Sequence, residues 1–211
     1  MTKPKITGFP QSTFVWTARA AFNIKGVDHD FEPIGPPQSK TPEYLARHPW
    51  GKVPVLDHGD VALYETTAIC SYVDTAFEGT SLQPSEPAEL ARMHQVVSIA
   101  NCYLYPPAVL RYALQFIFPS GPDGTPNRAV IDKALPEIGK TLGVLEAELG
   151  DGEWFAGGQL TIADLFVGPL VAVVGMFPEG KQLLADQPKL GRLLGRLMDQ
   201  PGFRDAAPKP G

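Results

Sequence analysis

The sequence predicts an α/β domain followed by an all-helical domain, and three observations carry that prediction. The first 77 residues alternate short β-patterned and helix-patterned segments. Residues 78–87, "EGTSLQPSEP", form a polar break with two prolines and a glycine. Everything after the break has helical periodicity. We accordingly expect a first domain over 1–79, a linker over 80–87 and a second domain over 88–211.

"KITGF", residues 5–9, reads as a strand ending in a turn at Pro10–Ser12. "TFVWTARAAFNIK" follows as a helix, with Phe14, Ala18, Ala21 and Phe22 at helical spacing and Gly26 as its C-terminal stop. "VDHDFEPI", 27–34, alternates like a strand, and "TPEYLARH" reads as a short helix with Thr41 as N-cap and Pro42 at its first position. Val53–Leu56 and Val61–Leu63 read as two strands of a hairpin around His58-Gly59-Asp60, and 66–77 as a third helix. The order β-α-β-α-β-β-α suggests a small sheet with a parallel half and a hairpin half.

In the second domain, 88–118 reads as a long helix that Pro106-Pro107 should kink or break. Ile131, Leu135, Ile138, Leu142, Leu145 and Leu149 are spaced by 4, 3, 4, 3 and 4, an amphipathic stripe interrupted by Pro136. "LTIADL", 160–165, is a helix start in which Thr161 is the N-cap and Asp164 the N3 acceptor of a capping box. The residues after it are apolar nearly all round, as in a buried central helix.

Composition narrows the function. Apolar residues make up 44% of 211, enough for a core, and the net charge is −5 with no basic block, so nucleic acid is not an expected partner. The N-terminus lacks an apolar signal region, and the longest apolar run, 165–177, is too short for a bilayer and contains Gly168 and Pro169. Cys70 and Cys102 form no CxxC pair, which fits a reducing, cytoplasmic compartment; both are expected to be buried and inert, with a place near a ligand pocket as the alternative for Cys102. His29, His48, His58 and His94 show no metal-ligand spacing, so no metal is expected.

Three pieces together resemble one family: the serine turn after the first strand, "WGKVPVL…LYET" and "LTIADL" in a helical second domain. The chain resembles the cytosolic glutathione S-transferases of the serine type (bacterial theta- or phi-like) along essentially its whole length. The resemblance implies a thioredoxin-like N-terminal domain, an all-helical C-terminal domain and a cytoplasmic homodimer. It implies conjugation of glutathione, as substrate, to small hydrophobic electrophiles. Peroxidase or isomerase activity uses the same thiolate. A non-catalytic scaffold or a carrier of hydrophobic ligands is the alternative class.

The resemblance also distributes roles. Ser12 would donate to the glutathione sulfur, with Thr13 in reserve; locally, either hydroxyl also suits a helix cap. Arginine often stands four positions after that serine in the family, whereas this chain has Trp16. Val53, before Pro54, would pair with the tripeptide backbone. Glu65 would meet the α-amine and Thr66 the γ-glutamyl carboxylate at a helix N-terminus. Lys40 and Lys52, with Ser39, are candidates for the glycyl carboxylate. Phe9, Pro10, Phe14, Tyr105, Arg111, Tyr112, Gln115 and Phe116 are candidates for the electrophile wall, and Trp50 for the dimer contact.

Overall fold

In a computed structural model that describes residues 2–209, four strands form one mixed sheet in the order β2-β1-β3-β4. These are β1 (Lys5–Gly8), β2 (Asp30–Pro33), β3 (Val55–His58) and β4 (Val61–Tyr64). β1 and β2 are parallel, Ile6 opposite Phe31, because helix α1 (Thr13–Ile24) carries the chain back between them. β3 runs antiparallel to β1, and the β3–β4 hairpin pairs Val55 with Tyr64. α2 (Pro42–Arg47) and α3 (Thr66–Ala76) complete this unit.

The core follows the residue pattern. Ile6, Val55 and Leu56 from the sheet are buried with Val15, Ala18 and Phe22 of α1 and Ile69, Cys70 and Val73 of α3. Gly26, at φ +73°, ends α1 as expected, with Val27 N–H bonded to Phe22 O at 2.9 Å. Two strands differ from their sequence patterns, β3 being shifted two residues along and β2 shortened. β3 starts at Val55, since Pro54 has no N–H for the ladder, and β2 covers only the second half of 27–34.

A buried ion pair ties the end of α1 to α3 and to the segment after it. Lys25 Nζ donates to Asp74 Oδ1 at 3.0 Å, Asp74 O at 3.1 Å and Thr80 O at 3.2 Å. Asp74 in turn accepts from Leu82 N at 2.7 Å and Gln83 Nε2 at 3.1 Å. The donors and acceptors of both charges are thereby used.

The chain divides into two units, one of residues up to Gln83 together with those from Met198 onward, the other Pro84–Leu197. The sequence reading put all of 88–211 in the second domain. The last segment instead joins the first unit through α10 (Pro201–Arg204), whose Phe203 is fully buried.

The second unit is helical: α4 (Pro87–Ile99), α5 (Leu114–Ile117), α6 (Arg128–Leu149), α7 (Ile162–Val174), α8 (Pro178–Ala185) and α9 (Pro188–Asp199), the last reaching into the boundary. Pro106-Pro107 do not interrupt the helical path from α4 to α5. The chain widens into π-helical turns over Ala100–Leu104 and Pro106–Ala113, with Tyr105 N–H reaching Ala100 O and Leu114 N–H reaching Val109 O, five residues back. Wider turns accommodate residues that cannot donate. Pro136 likewise sits inside an unbroken 22-residue α6.

Asp164 is the hub at the start of α7. It is fully buried and accepts from Thr161 N at 2.8 Å, Thr161 Oγ1 at 2.9 Å and Phe155 N at 3.1 Å. The capping box anticipated from "LTIADL" is present, and α7 is buried on nearly every side. Among the described residues no helix is long and apolar enough to cross a membrane.

Candidate active site

Ser12 lies where β1 hands over to α1. Its N–H bonds to Phe9 O at 3.0 Å, and its backbone is extended (φ −73°, ψ 128°), as an N-cap requires. Its Oγ accepts from Val15 N at 3.4 Å. That cap bond uses a lone pair and leaves the hydroxyl hydrogen to donate, so capping and ligand contact are compatible at one oxygen. Ser12 is half-buried, while Thr13 is only 6% exposed. Gly8 makes the close turn possible: a Cβ there would lie 2.4 Å from Val15 Cγ2.

The sheet register brings the other first-unit candidates to the same end. β1 pairs Thr7 with Val55, and the hairpin pairs Val55 with Tyr64. The ladder ends at that pair, so Val53-Pro54, which leads into β3, and Glu65-Thr66, which leads out of β4, belong to the same end of the sheet. Val53-Pro54 is a cis peptide bond. Glu65 is exposed, has φ 71° and ψ 115°, and makes no side-chain cap bond, although it stands at the N-cap of α3. A side-chain-bearing residue in that region is strained, and such strain clusters at ligand sites. Thr66 begins α3 and is 5% exposed.

The lysine loop is built around Gly51. Its φ is +57°, and a Cβ would lie 2.6 Å from Ser39 O. Lys40 Nζ donates to Gly51 O at 3.0 Å, and the Tyr44 hydroxyl donates to Lys52 O at 2.7 Å. Both lysines are exposed. Ser39 is 1% exposed and its hydroxyl donates to Pro36 O at 2.9 Å, which corrects its candidacy: that hydroxyl is a loop tie.

His48 was not singled out by sequence, yet it underlies this region. It is 2% exposed, its ring lies 4.9 Å from that of Tyr64, and Trp50 meets it edge-on at 6.2 Å. Its Nδ1 has no hydrogen-bond partner among the described residues. Burial pushes its pKa down, and the charges of Glu65, Lys52 and Lys40 all act on it. Trp50 itself is 62% exposed.

Phe9, Pro10 and Phe14 are half-buried residues of the turn and helix start that carry Ser12. The second-unit candidates separate. Tyr112 is fully buried, accepts from Gly180 N at 2.8 Å and donates to Glu179 at 3.3 Å, so it is a core residue. Gln115 Oε1 accepts from Ser120 Oγ at 2.8 Å and Asn127 N at 3.3 Å, a loop tie. Phe116 stacks on Phe177 at 4.1 Å. Tyr112 is therefore corrected as a wall residue, and Gln115 remains a candidate whose Oε1 ties the loop. Tyr105 is half-buried, its phenol pKa raised by burial. Arg111 forks onto Glu137 at 2.7 and 2.5 Å beside a groove of about 420 Å³ that includes Cys102, Tyr103, Pro106 and Val144. Cys102 is exposed, against expectation, because it lies on the groove; Cys70 is buried and its thiol pKa is pushed up by burial.

Comparison with known proteins gives one answer along the whole chain. Residues 6–81 match the family model for the glutathione S-transferase N-terminal domain, and 97–201 match that for its C-terminal domain. Glutathione S-transferase 4 of Zea mays is 32% identical over 163 residues, 76% of this chain and 73% of that protein. Glutathione S-transferase 3 of Zea mays is 28% identical over 97% of this chain and 93% of its own length. The structure of glutathione S-transferase I bound to lactoylglutathione superposes with a TM-score of 0.84 at 28% identity, covering 98% of this chain and 99% of that one.

Proposed function

The chain belongs to the glutathione S-transferase family, and from that premise we propose that it conjugates the glutathione thiolate to small hydrophobic electrophiles. One observation carries the reading. The spare hydroxyl donor of Ser12, Val53 before cis-Pro54, the strained Glu65 and the helix start at Thr66 belong to one end of one sheet.

Glutathione brings a thiol, two carboxylates and an amine, and each has a counterpart. Val53 pairs with the peptide backbone as an added strand would. Glu65 receives the α-amine, Thr66 and the start of α3 receive the γ-glutamyl carboxylate, and Lys40 or Lys52 receives the glycyl carboxylate. The sulfur then lies toward Ser12. The Ser12 hydroxyl donates to it, and the thiol proton leaves to solvent.

Magnitudes close. A free thiol has a pKa of roughly 8.5, and lowering it by about 2 units takes about 2.7 kcal/mol of preferential thiolate binding. A hydrogen bond to a charged group supplies about 1.5–3 kcal/mol, and the N-terminus of α1 about 0.3–1 kcal/mol more. The thiolate attacks the electrophilic carbon, a C–S bond forms, and the leaving group departs with its electron pair or an addition product takes up a proton. Phe9, Pro10 and Phe14 supply apolar surface beside Ser12. Exposed Trp50 supports a homodimer as the working form, and the cytoplasm, where glutathione is reduced, suits the reaction.

The test is titration of the ultraviolet absorbance of glutathione thiolate bound to the protein, beside Ser12→Ala. A bound thiol pKa about 2 units below the free value, lost in the variant, is the expected result. Activation retained in Ser12→Ala would remove Ser12 from the role.

A further inference from the structure

The helix that carries Ser12 is held along one face by the end of the chain. Trp16 Nε1 donates to Phe203 O at 2.8 Å in a buried bond, and the two rings meet at 4.7 Å. Two helical turns along α1, Asn23 Nδ2 donates to Gly202 O at 2.9 Å. Residues seven apart lie on one helix face, so two side-chain donors of α1 take two successive carbonyls of α10. The backbones also touch: a Cβ on Gly202 would lie 2.9 Å from Ile24 N and Ile24 Cγ1. α10 has four residues, too few to be helical without such contacts.

Trp16 is joined to Ser12 from the other side. Its main-chain N–H donates to Ser12 O at 2.9 Å, the bond that closes the first turn of α1. Ser12 makes a long cap bond of 3.4 Å, so its own contacts hold the hydroxyl weakly. What fixes the oxygen is the placement of α1.

We infer that Trp16 is a positioning residue for thiolate activation: through Phe203 and Gly202 the C-terminal segment holds α1, and with it the Ser12 hydroxyl, in register with the bound sulfur. The inference rests on the reading of Ser12 as the thiolate donor. It also accounts for the tryptophan at a position where the family resemblance leads one to expect arginine: the side chain serves the C-terminal segment. Hydrogen bonding to a developing or bound anion requires placement to within about 0.5 Å, so a small shift of α1 weakens activation before it disturbs tripeptide binding at β3 and α3.

Two variants loosen the contact differently. Gly202→Ala drives α10 off the backbone of α1 without altering α1. Trp16→Phe keeps an aromatic ring against Phe203 while removing the indole donor and part of the ring volume, and it is the variant to read if Gly202→Ala does not fold. The readouts are the thiol pKa of bound glutathione, its dissociation constant, and kcat with a small aryl halide. The expected result is a rise of the bound thiol pKa by about half a unit or more and a kcat several-fold lower at neutral pH, with glutathione affinity within about twofold of wild type. Trp16→Phe should be the milder variant. If both variants lower the thermal midpoint yet keep the wild-type thiol pKa and kcat below it, Trp16 is structural only and the inference fails. Ser12→Ala separates that failure from failure of the site reading. Loss of activation in Ser12→Ala alone overturns the inference and keeps the site; no loss in Ser12→Ala overturns both.

Discussion

Replacing Glu65 by glycine should stabilise the protein and weaken its hold on glutathione at the same time. Glu65 has φ 71° and ψ 115° and is exposed, with no cap bond from its side chain to lose. A non-glycine residue in so sparsely populated a region costs roughly 1–3 kcal/mol. Glycine removes that strain, and its freer unfolded chain returns about 0.5–1 kcal/mol of the gain. The net is about +1 kcal/mol, which for a chain of this size is an increase in Tm of about 2–4 °C. The carboxylate contact proposed for the α-amine would be worth about 1.5–3 kcal/mol, so its loss should raise Kd by about 10- to 150-fold. Thermal unfolding followed by circular dichroism and calorimetric titration with glutathione measure the two effects. Glu65→Gln keeps the strained backbone, so its Tm should stay near wild type while affinity falls. A glycine variant with a lower Tm would refute the argument from strain. Unaltered affinity in both variants would refute the assignment of the α-amine.

Three further outcomes are expected. Lys25→Met should cost about 3–5 kcal/mol in urea unfolding, because Asp74, with 6% of its side chain exposed, would be left as a buried charge without its cation. Asp164, pushed by burial from 3.8 up to about 6, binds its proton more tightly folded than unfolded between those values. Its contribution therefore makes stability fall as pH rises from about 4 to about 6, by an amount on the order of 3 kcal/mol, and Asp164→Asn should remove that slope from a pH series of unfolding curves. Trp50→Ala should shift the sedimentation coefficient from dimer toward monomer, since its 62% exposed ring is the apolar anchor proposed for the partner copy; an unchanged dimer would transfer that role elsewhere.

Features with local causes were legible in the sequence. Gly26 stops α1 because glycine alone adopts positive φ at no cost, and Thr41-Pro42 starts α2 because proline needs no donor at a first turn. The Thr161–Asp164 spacing closes a ring within one turn, so it was readable without knowing the neighbours. The prolines at 106, 107 and 136 misled for a physical reason. Local rules price the missing N–H and the clash against an α-helical turn, whereas widened turns and the packing of a long helix absorb both.

The candidate site divides along the same line. Ser12, Glu65 and Thr66 stand at helix starts, and a helix start is marked by its own sequence. Whether a polar side chain is spent elsewhere is a tertiary fact. Ser39 is tied to Pro36 and Gln115 to the loop at Asn127, and neither bond follows from spacing. Tyr112 looked like a wall aromatic because its helical neighbourhood is aromatic, but its hydroxyl closes the start of α8, 68 residues away. His48 acquires significance from the charges of Glu65, Lys52 and Lys40, three of the candidate residues, which act on its buried ring. Trp16 is the extreme case. Its partner lies 187 residues downstream, so in the sequence it registers only as an apolar residue where a basic one was expected. Substitutions that look neutral by helix propensity can therefore act on the chemistry through α10. Their effect should scale with displacement of α1, and hydrophobicity at position 16 alone should not predict it.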